Sequence, residues 1–221
     1  MKWMAFPGWS AQRPLKRWCG VEVETISHLQ QWKIMKGECA WDLPTEPWGM
    51  ITWSMGSWMG LWASQRWAGN PPRIWIALSP FVRLVGDDCK IKADALNVLL
   101  RSFRAKPLET LQFFCRQQGG HEAWCSTADL QGHEQILGDS LEALLGDPPV
   151  LPSTVNDIHL KVLIGDRDRL VSVAMAEKFS RLFDGAGCVV ETEILENVGH
   201  GIFYEGQPEA WARSKELTSL Y

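Results

Sequence analysis

The sequence predicts an α/β fold: a parallel sheet of about six strands with crossover helices, interrupted once by a helical insertion. Three observations lead to this reading. Short apolar runs alternate with helical patterns over residues 1–80 and again over 151–221, the rhythm of a parallel sheet. Residues 81–150 lie between these halves and carry helical patterns but no convincing strand. Finally, loops leaving predicted strand ends carry Ser54, Asp168 and His200 in that order. Open parallel sheets gather functional groups outside the carboxyl ends of their strands.

The elements follow in order. Lys2-Trp-Met-Ala-Phe6 is a buried strand, ended by the loop Pro7-Gly8-Trp9-Ser10. Residues 11–18 predict a helix with Pro14 confined to its first turn. Residues 21–26 alternate apolar and polar, as a strand near a sheet edge does. Residues 28–35 read as helix and 42–47 as loop. A buried strand over 49–53 turns sharply into a helix over 55–67. Asn70-Pro-Pro72 breaks the chain before a strand over 73–78, closed by Ser79-Pro80. In the insertion, Leu and Phe recur at helical spacing over 93–103, 107–118 and 136–145. Strand, helix and strand then follow over 159–164, 174–183 and 188–195, with a closing helix over 207–217.

Composition narrows the class. A chain of 221 residues suits one sizeable domain with an insertion: core 1–80 plus 151–221, and a helical lid over 81–150. Apolar residues at 46% and charged residues at 22% are ordinary for a soluble globular protein. Thirteen tryptophans imply large apolar surfaces, most of them core. A net charge of −4 argues against a general nucleic-acid binder. The first apolar run is broken at Pro7, too early for a signal peptide. No apolar run approaches the roughly 18 residues of a membrane span. The cysteines at 19, 39, 89, 115, 125 and 188 have no CxxC pairs and no histidines at metal spacing. They read as reduced thiols of a cytoplasmic protein. The expectation is a cytoplasmic monomer without metal, cofactor, nucleic-acid or membrane partner.

The chemistry centres on Trp53-Ser54-Met55-Gly56, a serine at a strand–turn–helix corner. Such a corner exposes the hydroxyl and leaves the following N–H free. The usual pattern is Gly-x-Ser-x-Gly, and Thr52 stands in the first position. A serine hydroxyl needs an imidazole to take its proton, and the imidazole needs a carboxylate to hold its tautomer. His200 and Asp168 sit on later strand ends in the required order. Asp166 competes for the acid role. Asp168 lies two residues further along the loop and has more reach, so it is preferred, with Asp166 as a loop-capping carboxylate. An oxyanion would be held by the N–H groups of Met55, after the nucleophile, and Trp9, after the first strand. His28, His121, His133 and His159 lie away from the expected strand ends or in the insertion and read as surface or packing residues.

These residues resemble the α/β-hydrolase superfamily across nearly the whole chain. Its Gly-x-x-Asp acid loop is similar to Gly165-Asp-Arg-Asp168, and its Gly-His-x-x-Phe segment with a later Pro to Gly199-His-Gly-Ile-Phe203 and Pro208. Its oxyanion loop is similar to Pro7-Gly8-Trp9. The resemblance implies the α/β-hydrolase fold with a reduced sheet, lacking the first two strands of the full fold. Thr52 departs from its pattern.

A narrower resemblance is to the biotin-pathway esterases that demethylate pimeloyl-acyl-carrier-protein methyl ester. It rests on Gly8-Trp9, Trp53-Ser-Met-Gly56, Ser79-Pro-Phe81 and the lid pattern Ala95-Leu96, Leu99-Leu100, Phe103 and Leu111-x-x-Phe114. It implies a carboxylesterase with Trp53, Phe103 and Phe114 lining a channel for an apolar chain. Independently, residues 83–116 carry seven basic and four acidic side chains in a chain that is acidic overall. An acidic acyl carrier protein would be steered to such a surface, with Arg101, Arg104, Lys106 and Arg116 as contacts. Alternative readings are a thioesterase or general esterase using the same triad, and a non-catalytic binding protein of the same fold.

Overall fold

A computed structural model describes residues 2–6, 23–39, 43–67, 69–86, 89–117, 130, 132–151, 155 and 157–202. The predicted helices over 11–18 and 207–217, together with Trp9, Phe203 and Pro208, lie outside the described residues. Six strands, β1 (Lys2–Phe6), β2 (Val23–Thr25), β3 (Trp48–Trp53), β4 (Ile74–Leu78), β5 (His159–Gly165) and β6 (Val189–Leu195), form one sheet in the order β2-β1-β3-β4-β5-β6. Every pairing is parallel. The described helices are α1 (His28–Lys36), α2 (Met55–Ser64), α3 (Ala93–Ala105), α4 (Pro107–Gln117), α5 (Glu134–Ala143) and α6 (Val173–Asp184). Helices α3, α4 and α5 fall between β4 and β5, within the segment expected to be helical.

A strand buried on both faces is a near-continuous apolar run whose side chains alternate between two cores. Here Met4, Trp48, Met50, Trp75, Ala77, Leu160, Val162 and Ile164 join the larger cluster, packed against helices. Their strand neighbours Trp3, Ala5, Ile51, Trp53, Ile74, Ile76, Leu78 and Leu163 form the second. Trp32, Trp48, Trp58, Trp67 and Trp75 are buried in the first core. Trp75 meets Phe179 and Phe183 of α6 edge-on at 5.6 and 5.1 Å, and Trp67 at 5.8 Å. Among the described residues no helix is long and apolar enough to cross a membrane. None of the described cysteines 39, 89, 115 and 188 forms a disulfide.

Local sequence explains the helix boundaries. Ser27 opens α1 with a reciprocal capping box to Gln30, and Gly37 closes it in the left-handed region at φ 78°. Ser172 caps α6 by accepting from the Met175 N–H at 3.2 Å. Helix α3 buries Leu96, Leu100 and Phe103, a stripe at helical spacing, and packs on α4 and α5.

One buried contact joins the core to the helical segment. His28, the first residue of α1, places Nε2 3.1 Å from Ser140 Oγ of α5. That hydroxyl donates to the Leu137 carbonyl at 2.9 Å, so the imidazole supplies the proton of the His28–Ser140 contact. Burial, with His133 as a smaller cause, pushes His28 down from 6.5 to about 3. Below pH 6.5 the unfolded chain therefore binds a proton that the folded chain refuses until about pH 3, and stability falls as pH falls. The expected loss is about 1.4 kcal/mol per pH unit in that window, roughly 2 kcal/mol by pH 5. Urea unfolding at pH 7.5 and pH 5 measures it. In His28→Gln, whose amide can still donate to Ser140, the loss between the two pH values should shrink by about that amount.

Candidate active site

Ser54 follows β3 directly and is the N-cap of α2. Its backbone is at φ 51°, ψ −117°, a corner that suits glycine. Its N–H donates to the Leu78 carbonyl at 2.9 Å, and its own carbonyl accepts from Ser57 N–H at 2.9 Å. The side chain makes no cap hydrogen bond. Strand pairing and the helix start thus hold a strained residue whose hydroxyl the helix does not use. The other non-glycine residues of positive φ among those described are Ser79, after β4, and Asn197, after β6. All three lie at the carboxyl edge of the sheet, where functional strain is expected to gather. Ser79 is fully buried and its hydroxyl has no partner among the described residues, a feature that sequence reasoning passed over.

Thr52 fits the elbow because the facing helix is carved for it. Its Oγ1 lies 2.8 Å from Ser57 Oγ and accepts from Trp75 Nε1–H at 2.7 Å. With that acceptor site taken, the threonine hydroxyl is free to donate to Ser57. Gly60 leaves the space: a Cβ there would meet Trp75 at 2.8 Å and the Thr52 methyl at 3.5 Å. The departure from a leading glycine is therefore matched by Ser57 and Gly60 one turn apart on α2. Both were visible in the sequence.

The expected acid and base, Asp168 and His200, come from two neighbouring strand ends. Asp168 and His200 are 1% and 3% exposed. Asp168 Oδ2 lies 2.8 Å from His200 Nδ1. Its Oδ1 accepts from the Leu170 and Val171 N–H groups, both at 2.8 Å. Burial pushes the carboxyl up, but the His200 imidazole and its hydrogen bond, with the two backbone donors, outweigh this and hold it below the usual value. A carboxylate at Nδ1 fixes the proton there and leaves Nε2 as the acceptor nitrogen. Nε2 is buried and hydrogen-bonds to no described residue. Ser54 and His200 are thus not hydrogen-bonded here; such contacts commonly tighten only when substrate binds. Asp166 is exposed and does not take part in this pair.

Three further contacts brace the pair. A Cβ on Gly165 would lie 2.1 Å from the Val198 carbonyl oxygen, so only glycine lets the His200 loop cross directly over β5. Lys90 Nζ, from the segment leading into α3, donates to the Asp168 carbonyl. Trp53, expected in a substrate channel, is 3% exposed, and its Nε1–H donates to the His200 carbonyl at 3.1 Å.

The remaining expected contacts are distributed over the helical segment. Phe103 of α3 is 1% exposed and packs near Gly138 of α5; Phe114 of α4 is half-buried. A shallow cleft of about 250 Å3 is lined by Phe103, Arg104, Pro107, Glu134, Gln135, Gly138 and Asp139, and neither Ser54 nor His200 lines it. Arg104 is engaged by Glu142 at 2.6 Å and Lys106 by Glu109 at 2.9 Å. Arg101 and Arg116 are exposed. Met55 is half-buried, and its N–H belongs to the first turn of α2, which has no intrahelical acceptor for it. Trp9, the expected second oxyanion donor, lies outside the described residues. No cluster of metal-ligating side chains occurs among the described residues.

No protein-family model matches the chain, and no curated protein does. Solved structures match it along essentially its whole length. An esterase of Exiguobacterium antarcticum is 13% identical with a TM-score of 0.71, covering 99% of this chain and 92% of that one. A hydrolase of Oleispira antarctica is 14% identical with a TM-score of 0.68, covering 100% and 90%. An esterase of a Rhodococcus species is 14% identical with a TM-score of 0.64, covering 99% and 90%. Identities this low speak to architecture alone, and on that point these matches and the six-stranded parallel sheet agree: the chain has the α/β-hydrolase fold.

Proposed function

We propose that this chain is a serine ester hydrolase. The observation that carries the reading is the buried Asp168–His200 hydrogen bond, set at the same sheet edge as the strained, uncapped Ser54. In this mechanism Ser54 Oγ attacks the ester carbonyl as His200 Nε2 takes its proton, and Asp168 stabilises the imidazolium that forms. The tetrahedral oxyanion is held by Met55 N–H at the positive end of α2, with Trp9 N–H as the expected second donor. His200 then protonates the departing alcohol. Water, deprotonated by His200, attacks the acyl-enzyme, and Ser54 regains its proton as the acid leaves. The matched esterases of the same fold favour an ester over other acyl substrates.

The specific substrate proposed is the methyl ester of a pimeloyl chain on an acyl carrier protein, in biotin synthesis. It is supported by the elbow Trp53-Ser-Met-Gly56 and by Ser79-Pro-Phe81 after β4. In the proposed docking, Arg101 is the leading carrier contact, because Arg104 and Lys106 already face Glu142 and Glu109. The protein is then cytoplasmic.

Labelling by a fluorophosphonate probe, with turnover of a short p-nitrophenyl ester, tests the reaction class. A chain that stays unlabelled and inactive is a binding protein of this fold and overturns the reading. Equal rates on carrier-bound and free methyl esters would leave a general esterase and remove the carrier.

A further inference from the structure

Trp53 reaches from β3 to the His200 loop. It closes β3 one residue before the nucleophile and is buried against the loop that carries the base. Two contacts define the arrangement. The indole N–H donates to the backbone carbonyl of His200 at 3.1 Å, across 147 residues of chain. The indole and imidazole rings lie with centroids 5.3 Å apart at 40°. This separation is within the range at which a cation is attracted to an aromatic face.

Taking the serine-hydrolase reading as its basis, we infer that Trp53 is the positioning residue of the catalytic base: its N–H holds the His200 peptide, and its ring favours the imidazolium that forms as Ser54 loses its proton. The placement has a mechanical consequence. Nucleophile and base anchor are consecutive residues, so Ser54 and His200 are both referenced to the carboxyl end of β3. Asp168 holds the imidazole from the other side, through Nδ1. A base held at both its ring and its peptide has little freedom to rotate away. Positioning errors of about 1 Å cost on the order of 10²-fold in rate.

The charges around the imidazole are few among the described residues. Asp168 faces Nδ1, and the Lys90 ammonium sits on the Asp168 carbonyl. Asp166 and Arg167 of the same loop are exposed. Trp53 is the described aromatic face against the ring.

Trp53→Phe keeps an aromatic face and removes the N–H; Trp53→Leu removes both. In Trp53→Leu the acid limb of the kcat/KM profile on a p-nitrophenyl ester should move to lower pH by about half a unit, because the imidazolium is less favoured by about threefold. Its kcat should fall about tenfold or more with KM little changed. Trp53→Phe should lose rate as well but keep most of the wild-type limb. A limb that moves in neither variant, with rates falling only alongside thermal stability, reduces Trp53 to a packing residue and overturns the inference. A second readout needs no turnover. The proton between His200 Nδ1 and Asp168 should give a downfield 1H NMR signal, and its titration should shift in Trp53→Leu by the same half unit. An unshifted signal defeats the inference even if esterase activity is present. A shifted signal in a chain that neither labels nor turns over esters upholds the Trp53–His200 coupling and defeats only the hydrolase reading.

Discussion

Ser54→Ala is expected to lower ester turnover by about 10⁶-fold, leaving only what binding and the oxyanion donors contribute over water. In the proposed mechanism the hydroxyl is the group that bonds to the acyl carbon, and nothing else in the described site can replace it: Ser79 is fully buried one strand away. The same substitution should cost little stability, because the Ser54 side chain makes no cap hydrogen bond with its helix. Alanine inherits the strained backbone at φ 51°, ψ −117°, whereas glycine adopts it freely. Ser54→Gly should therefore be equally inactive but more stable than Ser54→Ala, by about 1 kcal/mol or more. Steady-state kinetics and urea unfolding of the two variants measure both effects. If Ser54→Ala retains wild-type turnover, Ser54 is not the nucleophile. If glycine brings no gain in stability, the corner is not strained.

The elbow was legible because its signature is local. A serine at a tight strand–helix corner has a local signature, and so do its neighbours. The short apolar runs that alternate with helical patterns likewise pointed to a parallel sheet, because a strand buried on both faces is apolar along its whole length. What could not be read were the pairings over long separations. For Trp53 the sequence reports size and apolarity but not that its N–H would meet a carbonyl 147 residues on. Arg104 counted toward a basic surface because Glu142 lies 38 residues away, on another helix. Lys106 is different. Its partner Glu109 stands at i+3, a spacing at which helical neighbours interact, so that pair was visible in advance. Thr52 looked like a defect while it was compared only with a pattern. Set against Ser57, Gly60 and Trp75 it is a satisfied buried polar group with room made for its methyl.

The acid offers the most discriminating substitution. Asp168→Asn is expected to reduce kcat/KM by about 10⁴-fold with the fold intact. The argument is one of tautomers. Asp168 Oδ1 accepts from two backbone N–H groups, at Leu170 and Val171, so an asparagine must place its carbonyl oxygen there. Its NH2 group then occupies the Oδ2 position, 2.8 Å from His200 Nδ1. An NH2 group only donates, so Nδ1 must become the acceptor and the imidazole proton moves to Nε2. A protonated Nε2 cannot take the proton of Ser54. The base would be correctly placed and in the wrong form. Asp168→Ala lacks this constraint but leaves both N–H donors unpaired in a buried site, at about 1–3 kcal/mol each, and should lose stability as well as rate. Comparing the two variants by kinetics and thermal unfolding separates the electronic role of Asp168 from its structural one. If Asp168→Asn retains rate while Asp166→Asn loses it, the exposed neighbour is the working acid and the buried pair is architecture.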